Sequence, residues 1–250
     1  MATRTDKYWE LSRSPRYSLL FAVPLLFVYE LLVLALSHGT GGGVRNGADV
    51  LLQQAVYAIA GRYEPIVFGI LVLGIGAWLV VRDSRAHRGP IRRGIFLGML
   101  AEAIVLAAAF GTVVGFITAN LLHLTGYLAI PGGGGSPIQH SSLATRVMLS
   151  LGAGIYEELL FRVIIAGTLD AIAQRVLGWG RWVSGIFAVI ISATVFSAAH
   201  YIGPYGDPLQ LQSFVYRLIG GMVFSALYLT RGFGITAWTH ALYDLLVLAL

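Results

Sequence analysis

Three short clusters of ionisable side chains interrupt stretches that are otherwise apolar. The first is Gly154-Ile155-Tyr156-Glu157-Glu158-Leu159-Leu160-Phe161-Arg162, with two adjacent carboxylates and an arginine; the second is Phe196-Ser197-Ala198-Ala199-His200; the third is His240-Ala241-Leu242-Tyr243-Asp244. An ionisable group in the middle of an apolar helix costs roughly 2.5–3.5 kcal/mol on insertion scales, so each needs a partner or a purpose. At 3.6 residues per turn, Glu158 and Arg162 stack as an i, i+4 pair that neutralises itself, while Glu157 points about 100° away. Glu157 is left without a local counter-ion, and a desolvated carboxylate of this kind makes a good general base. Its expected partners are histidines from other helices. His240 and Asp244 are also i, i+4, so the carboxylate either fixes the tautomer of the imidazole or turns with it toward one ligand. His200 shares a helix face with Phe196. The chain has no cysteine, which excludes disulfides, thiolate metal sites and a cysteine nucleophile.

The elements that must carry these groups are membrane helices. Of the 250 residues 57% are hydrophobic and only 12% charged, against about 25% charged in ordinary soluble domains. Apolar stretches of about 20 residues recur, each long enough to cross a hydrocarbon core of ~30 Å as an α-helix. Hydropathy, with boundaries at charge, Gly and Pro, predicts helices near 18 to 37, 64 to 82, 94 to 118, 143 to 174, 183 to 203, 211 to 230 and 233 to 250. The mixed segment 46 to 60, with Gln53 and Gln54 beside Leu51 and Leu52, is expected at the membrane interface. The expected fold class is therefore an all-α polytopic membrane protein of about seven transmembrane helices in one bundle. One domain spans 1–250, since no internal repeat divides it, and the Gly-rich link Pro131 to Pro137 is expected as a loop.

Arginine and lysine set the orientation. Arg4, Lys7, Arg13 and Arg16 precede the first span, the 82 to 93 segment is arginine-rich, and Arg231 precedes the last, whereas Ala119 to Ser142 holds neither residue type. The alternation places the N-terminus inside and the C-terminus outside. The net charge of +5 then speaks for membrane lipids and orientation, not for nucleic acid. Rises of ~1.5 Å per residue put Glu157 and His240 near mid-membrane and His200 closer to the outer face. Glu30 and Glu102 also fall inside spans and read as packing or solvation features; His38, His87, His123 and His140 fall in loops.

The three clusters resemble, in order, the signature of the CAAX-prenyl-protease and bacteriocin-processing (CPBP, or Abi) family of intramembrane proteases: Glu-Glu-x-x-x-Arg, Phe-x-x-x-His, and His-x-x-x-Asn or Asp. The resemblance covers roughly residues 146–250. It implies endoproteolysis within the membrane, on a peptide or lipid-modified protein substrate, in a multi-pass protein of the plasma membrane of a prokaryote. By position it implies that Glu157 and His200 activate the attacking water, that His240 and Asp244 stabilise the oxyanion or complete the water site, and that Glu158 and Arg162 hold Glu157 in place. Asp244 stands where many relatives carry Asn and cannot donate a hydrogen bond unless protonated, which shifts weight to an orienting or metal-ligand role.

Metal use stays open at this point. Two histidines with one or two carboxylates suit Zn²⁺ with an open position, and the same groups suit a metal-free glutamate and histidine mechanism. The absence of His-Glu-x-x-His tips the reading to the second. Two other functions compete with proteolysis: a proton-coupled transporter that relays through Glu30, Glu102, Glu157, His200, His240 and Asp244, and a non-catalytic bacteriocin-immunity or scaffold protein.

Overall fold

The computed structural model describes residues 4–37, 44–87, 89–123, 141–203 and 206–249. The predicted Gly-rich loop 131–137, with His38 and His140, lies outside the described residues. The described residues are helical throughout, without strands. We label the helices α1 (Arg4–Arg13), α2 (Pro15–Ser37), α3 (Gly47–Ala60), α4 (64–86), α5 (Arg93–Leu121), α6 (143–175), α7 (Arg181–Ala199), α8 (Leu211–Arg231) and α9 (Phe233–Ala249).

Among the described residues, five helical runs are long and apolar enough to cross a membrane: α2, the 47–86 run, α5, α7 and α8. Large apolar side chains on their outer faces are exposed in the isolated chain, with Ile59 at 92% and Trp182 at 84%. That is the pattern of helices solvated by lipid. The predicted crossings at α6 and α9 do not reach the same standard. The π-helical stretches Ala153–Glu157 and Leu159–Ala166 break α6 around its charged residues, and α9 has only 17 residues. Seven crossings and an inside N-terminus thus stay expectations from composition and charge.

Three boundaries differ from the sequence reading. The basic N-terminal segment forms a helix, α1, packed on α2, α5 and α8. Segments 46–60 and 64–82 join into one helical run to Ala86, bent at the 3₁₀ turn Gly61–Tyr63, where Gly61 takes a φ of +53° that favours glycine. The span holding His200 ends at Ala199, so the imidazole sits just beyond the last turn of α7.

The core gathers around α9, which packs against α2, α5, α6 and α8. Its Ile235, Thr236, Ala237 and Ala241 are fully buried. Backbones approach closely where side chains vanish. A Cβ on Gly234 would lie 2.3 Å from the Ser18 carbonyl oxygen of α2, and one on Gly154 would lie 2.4 Å from the Ala237 carbonyl oxygen of α9. At the other end of α8, the Arg231 guanidinium bonds both oxygens of Glu102 at 2.5 and 2.7 Å, bonds Ser12 Oγ at 2.9 Å, and covers the Trp9 ring at 3.7 Å. Tyr8 donates to the same Glu102 at 2.6 Å, so α1, α5 and α8 are tied by one carboxylate.

Gly154→Ala must therefore push α6 from α9. We expect it to lower stability by about 1–3 kcal/mol, read as a fall in the unfolding midpoint in detergent. Gly76→Ala, where a Cβ meets nothing within 4 Å, should leave the midpoint unchanged.

Candidate active site

The π-helical stretches change how α6 presents its acids. A π-turn is wider than an α-turn and recurs at functional sites, and here it lets the adjacent Glu157 and Glu158 address one imidazole from α9. Glu158 Oε1 lies 2.7 Å from His240 Nδ1, and Glu158 Oε2 lies 3.3 Å from Arg162 Nε. Since an ionised carboxylate only accepts, Nδ1 of His240 carries the proton and Nε2 is turned away from Glu158. The pair Glu158 and Arg162 is thus not self-contained, as its spacing suggested; it is a triad with His240, and all three are buried.

On the opposite edge of the ring, His240 Nε2 lies 4.0 Å from Glu157 Oε2 and 3.8 Å from Asp244 Oδ2. Both separations exceed a direct hydrogen bond and match the reach of one bridging water. Asp244 therefore does not fix the tautomer of His240; Glu158 does, and Asp244 faces the other nitrogen. The other oxygen of Glu157, Oε1, accepts from Asn46 Nδ2 at 2.9 Å. Glu157 and Asp244 keep side-chain exposures of 14% and 31%, whereas Glu158 has none, so the dry side and the accessible side of the cluster are distinct.

His200 lies within electrostatic reach of Glu157 and His240. Its Nδ1 is 2.8 Å from the Phe196 carbonyl oxygen, an acceptor only, so Nδ1 is the protonated nitrogen and Nε2 is free. Its ring meets Phe196 edge-on at 4.9 Å. Phe224 of α8 stacks on His240 at 4.3 Å. Arg162 rests over Phe196 at 4.5 Å and over Phe224 at 5.5 Å. The aromatic residue of Phe-x-x-x-His thereby shields the arginine of Glu-Glu-x-x-x-Arg. Gly221 of α8 makes this possible, since a Cβ there would press on Phe196 Cδ1 at 3.1 Å.

All six residues singled out from the sequence, Glu157, Glu158, Arg162, His200, His240 and Asp244, meet in this one region. Glu30 accepts from the Tyr156 hydroxyl at 2.7 Å and pairs with Arg45 at 3.3 Å, while Glu102 belongs to the Arg231 cluster. Two neighbours were missed. Asn46 lies 111 positions before Glu157, and only its place as a helix N-cap marks it in the sequence. Arg217 of α8, ion-paired to Asp207, acts electrostatically on His200 and Asp244; a lone arginine within an apolar span was the signal for it. Among the described residues, no three His, Asp or Glu side chains converge on a metal-sized point.

Residues 139–246, somewhat under half of the chain, match the family model of Rce1-like type II CAAX prenyl endopeptidases. The resemblance read from the three motifs is thus to the family that this segment matches. No curated protein and no solved structure gave a significant match.

Removing one member of a buried charged set strands the others. Arg162→Met, similar in length but uncharged, is expected to cost about 3–5 kcal/mol because Glu158 loses its cation in a dry interior. The check is a lowered unfolding midpoint in detergent, with Arg162→Lys recovering only part of it, since an ammonium cannot lie flat between two rings.

Proposed function

We propose that this protein is an intramembrane endopeptidase of the CAAX-processing type, which hydrolyses a peptide bond in a membrane-associated or lipid-linked protein. The observation that carries the reading is the placement of Glu157 Oε2 and Asp244 Oδ2 at 4.0 and 3.8 Å from the unprotonated edge of His240, on the accessible side of an otherwise dry cluster. A water between them donates its two hydrogens to Glu157 and to one of the other two atoms, which leaves a lone pair to face a substrate. That is the orientation an attacking nucleophile needs.

In the proposed reaction the water oxygen bonds to the scissile carbonyl carbon and its proton passes to Glu157. Breakdown of the tetrahedral intermediate cleaves the C–N bond, and Glu157 returns that proton to the leaving amine. Glu158, backed by Arg162, fixes the tautomer and direction of His240. Asp244, facing the same nitrogen of His240 as Glu157, completes the water site. His200, whose Nε2 is an acceptor in this tautomer, assists Glu157 in activating the water, as the family resemblance implies. The match of residues 139–246 to CAAX prenyl endopeptidases supports the same reaction class and points to a prenylated chain end as the substrate to try first.

Two features of the chain support a membrane setting for this chemistry: the long apolar helices and the low charge content. A plasma-membrane location in a prokaryote is part of the proposal. The relay required by a proton-coupled transporter draws less support, since Glu102 is committed to Arg231, Tyr8 and α1.

The test is turnover of a fluorogenic prenylated CAAX peptide by purified protein in detergent. Glu157→Gln keeps the shape and one acceptor of the side chain but removes the base. We expect kcat to fall by about 10²–10⁴-fold with an unchanged unfolding midpoint. Turnover at the wild-type rate by that variant, or none by the wild-type protein, would end the hydrolytic reading.

A further inference from the structure

We infer that Asn46 is a positioning residue that holds the carboxylate of Glu157, so that the N-terminal part of the chain completes a site whose motifs all lie in the segment 139–246. The inference deepens the hydrolytic reading and rests on it.

The orientation of the Asn46 amide is not a free choice. Asn46 is the N-cap of α3, and its Oδ1 accepts from the backbone N–H of Ala48 at 2.9 Å. A backbone N–H can only donate, so the atom toward Ala48 is the oxygen and the atom toward Glu157 is the amine. That amine lies 2.9 Å from Glu157 Oε1. One side chain therefore caps a helix with its acceptor and pins a carboxylate with its donor.

The cap is itself braced. The backbone N–H of Asn46 donates to Tyr29 Oη at 3.2 Å, and Tyr29 donates to Asp49 Oδ2 at 2.7 Å. Asp49, fully buried in the first turn of α3, is also bonded by Arg45 at 2.6 Å and by Gln53 at 2.6 Å. A carboxylate there is favoured by the exposed N–H groups of the helix start. From the other side α6 presses in: a Cβ on Gly152 would meet Tyr29 Cε2 at 2.6 Å and Asn46 Cβ at 2.7 Å. Asn46 is 5% exposed and has no room to swing away.

The consequence is geometric. With Oε1 held by Asn46, rotation of the Glu157 carboxylate is arrested, and Oε2 is the oxygen left to face His240. Without that donor the carboxylate is free to turn Oε2 out of line with the water it must deprotonate, and small misplacements of a base cost rate without costing substrate affinity.

The test separates cap from positioning. Asn46→Ser and Asn46→Thr both keep a good N-cap acceptor, but neither offers an amide donor to Glu157. In purified full-length protein, with the prenylated CAAX peptide as probe, both should lower kcat by roughly 10- to 100-fold while KM and the unfolding midpoint stay at wild-type values. Wild-type kcat in Asn46→Ser alongside an inactive Glu157→Gln would overturn the inference and leave the hydrolytic reading standing. A loss of kcat matched in both variants by a lowered midpoint would overturn it too, reducing Asn46 to a structural cap. Full activity in Glu157→Gln would instead remove the reading on which it rests.

Discussion

A carboxylate with no exposure to solvent, Glu158, is the constraint around which this protein is arranged. A buried charge is tolerated only when paired and bonded, and Glu158 finds both partners by reaching in two directions. One oxygen meets Arg162 on its own helix and the other meets His240 on α9. The contact to His240 joins α6 to the most buried helix of the bundle and fixes which imidazole nitrogen carries the proton. The tautomer of His240 and the direction of its second nitrogen follow from that single bond.

Close helix approach is the condition that allows it. Glycines at 154, 221 and 234 stand where a methyl group would collide with the neighbouring helix. In lipid there is no hydrophobic force to drive helices together, so packing of small residues and interhelical polar bonds must do so. Gly154 lets α6 meet α9, Gly221 lets α8 reach Phe196, and Gly234 lets α9 lie on α2. Phe196 and Phe224 then close over Arg162 beside its partner Glu158. The wider turns of the π-helical stretches belong to the same arrangement, since they carry both adjacent acids to one ring.

The N-terminal helices do more than fill space. Arg231, Glu102, Tyr8 and Ser12 tie α8, α5 and α1 into one unit. Tyr29, Asp49 and Asn46 brace the side of the site where Glu157 is held. The polar residues of this part of the chain are thereby used twice, once to close the bundle and once to aim a carboxylate.

Hydropathy and motif order alone determined the helical class and singled out the six ionisable residues that the fold brings together, because a rare ionisable group in an apolar helix is conspicuous whatever the fold. The same reasoning assigned no helix to the N-terminal basic segment, and it assumed a uniform turn of 3.6 residues for α6, because α1 is held by tertiary contacts and a π-turn has no composition of its own. It paired Glu158 with Arg162 and Asp244 with His240 from spacing, since neighbours along a helix are all that a linear pattern can reveal. Only the tertiary structure decided that Glu158 also binds His240 and that Asn46, 111 positions away, binds Glu157. Such contacts depend on how closely two backbones approach, a quantity set by the packed bundle as a whole.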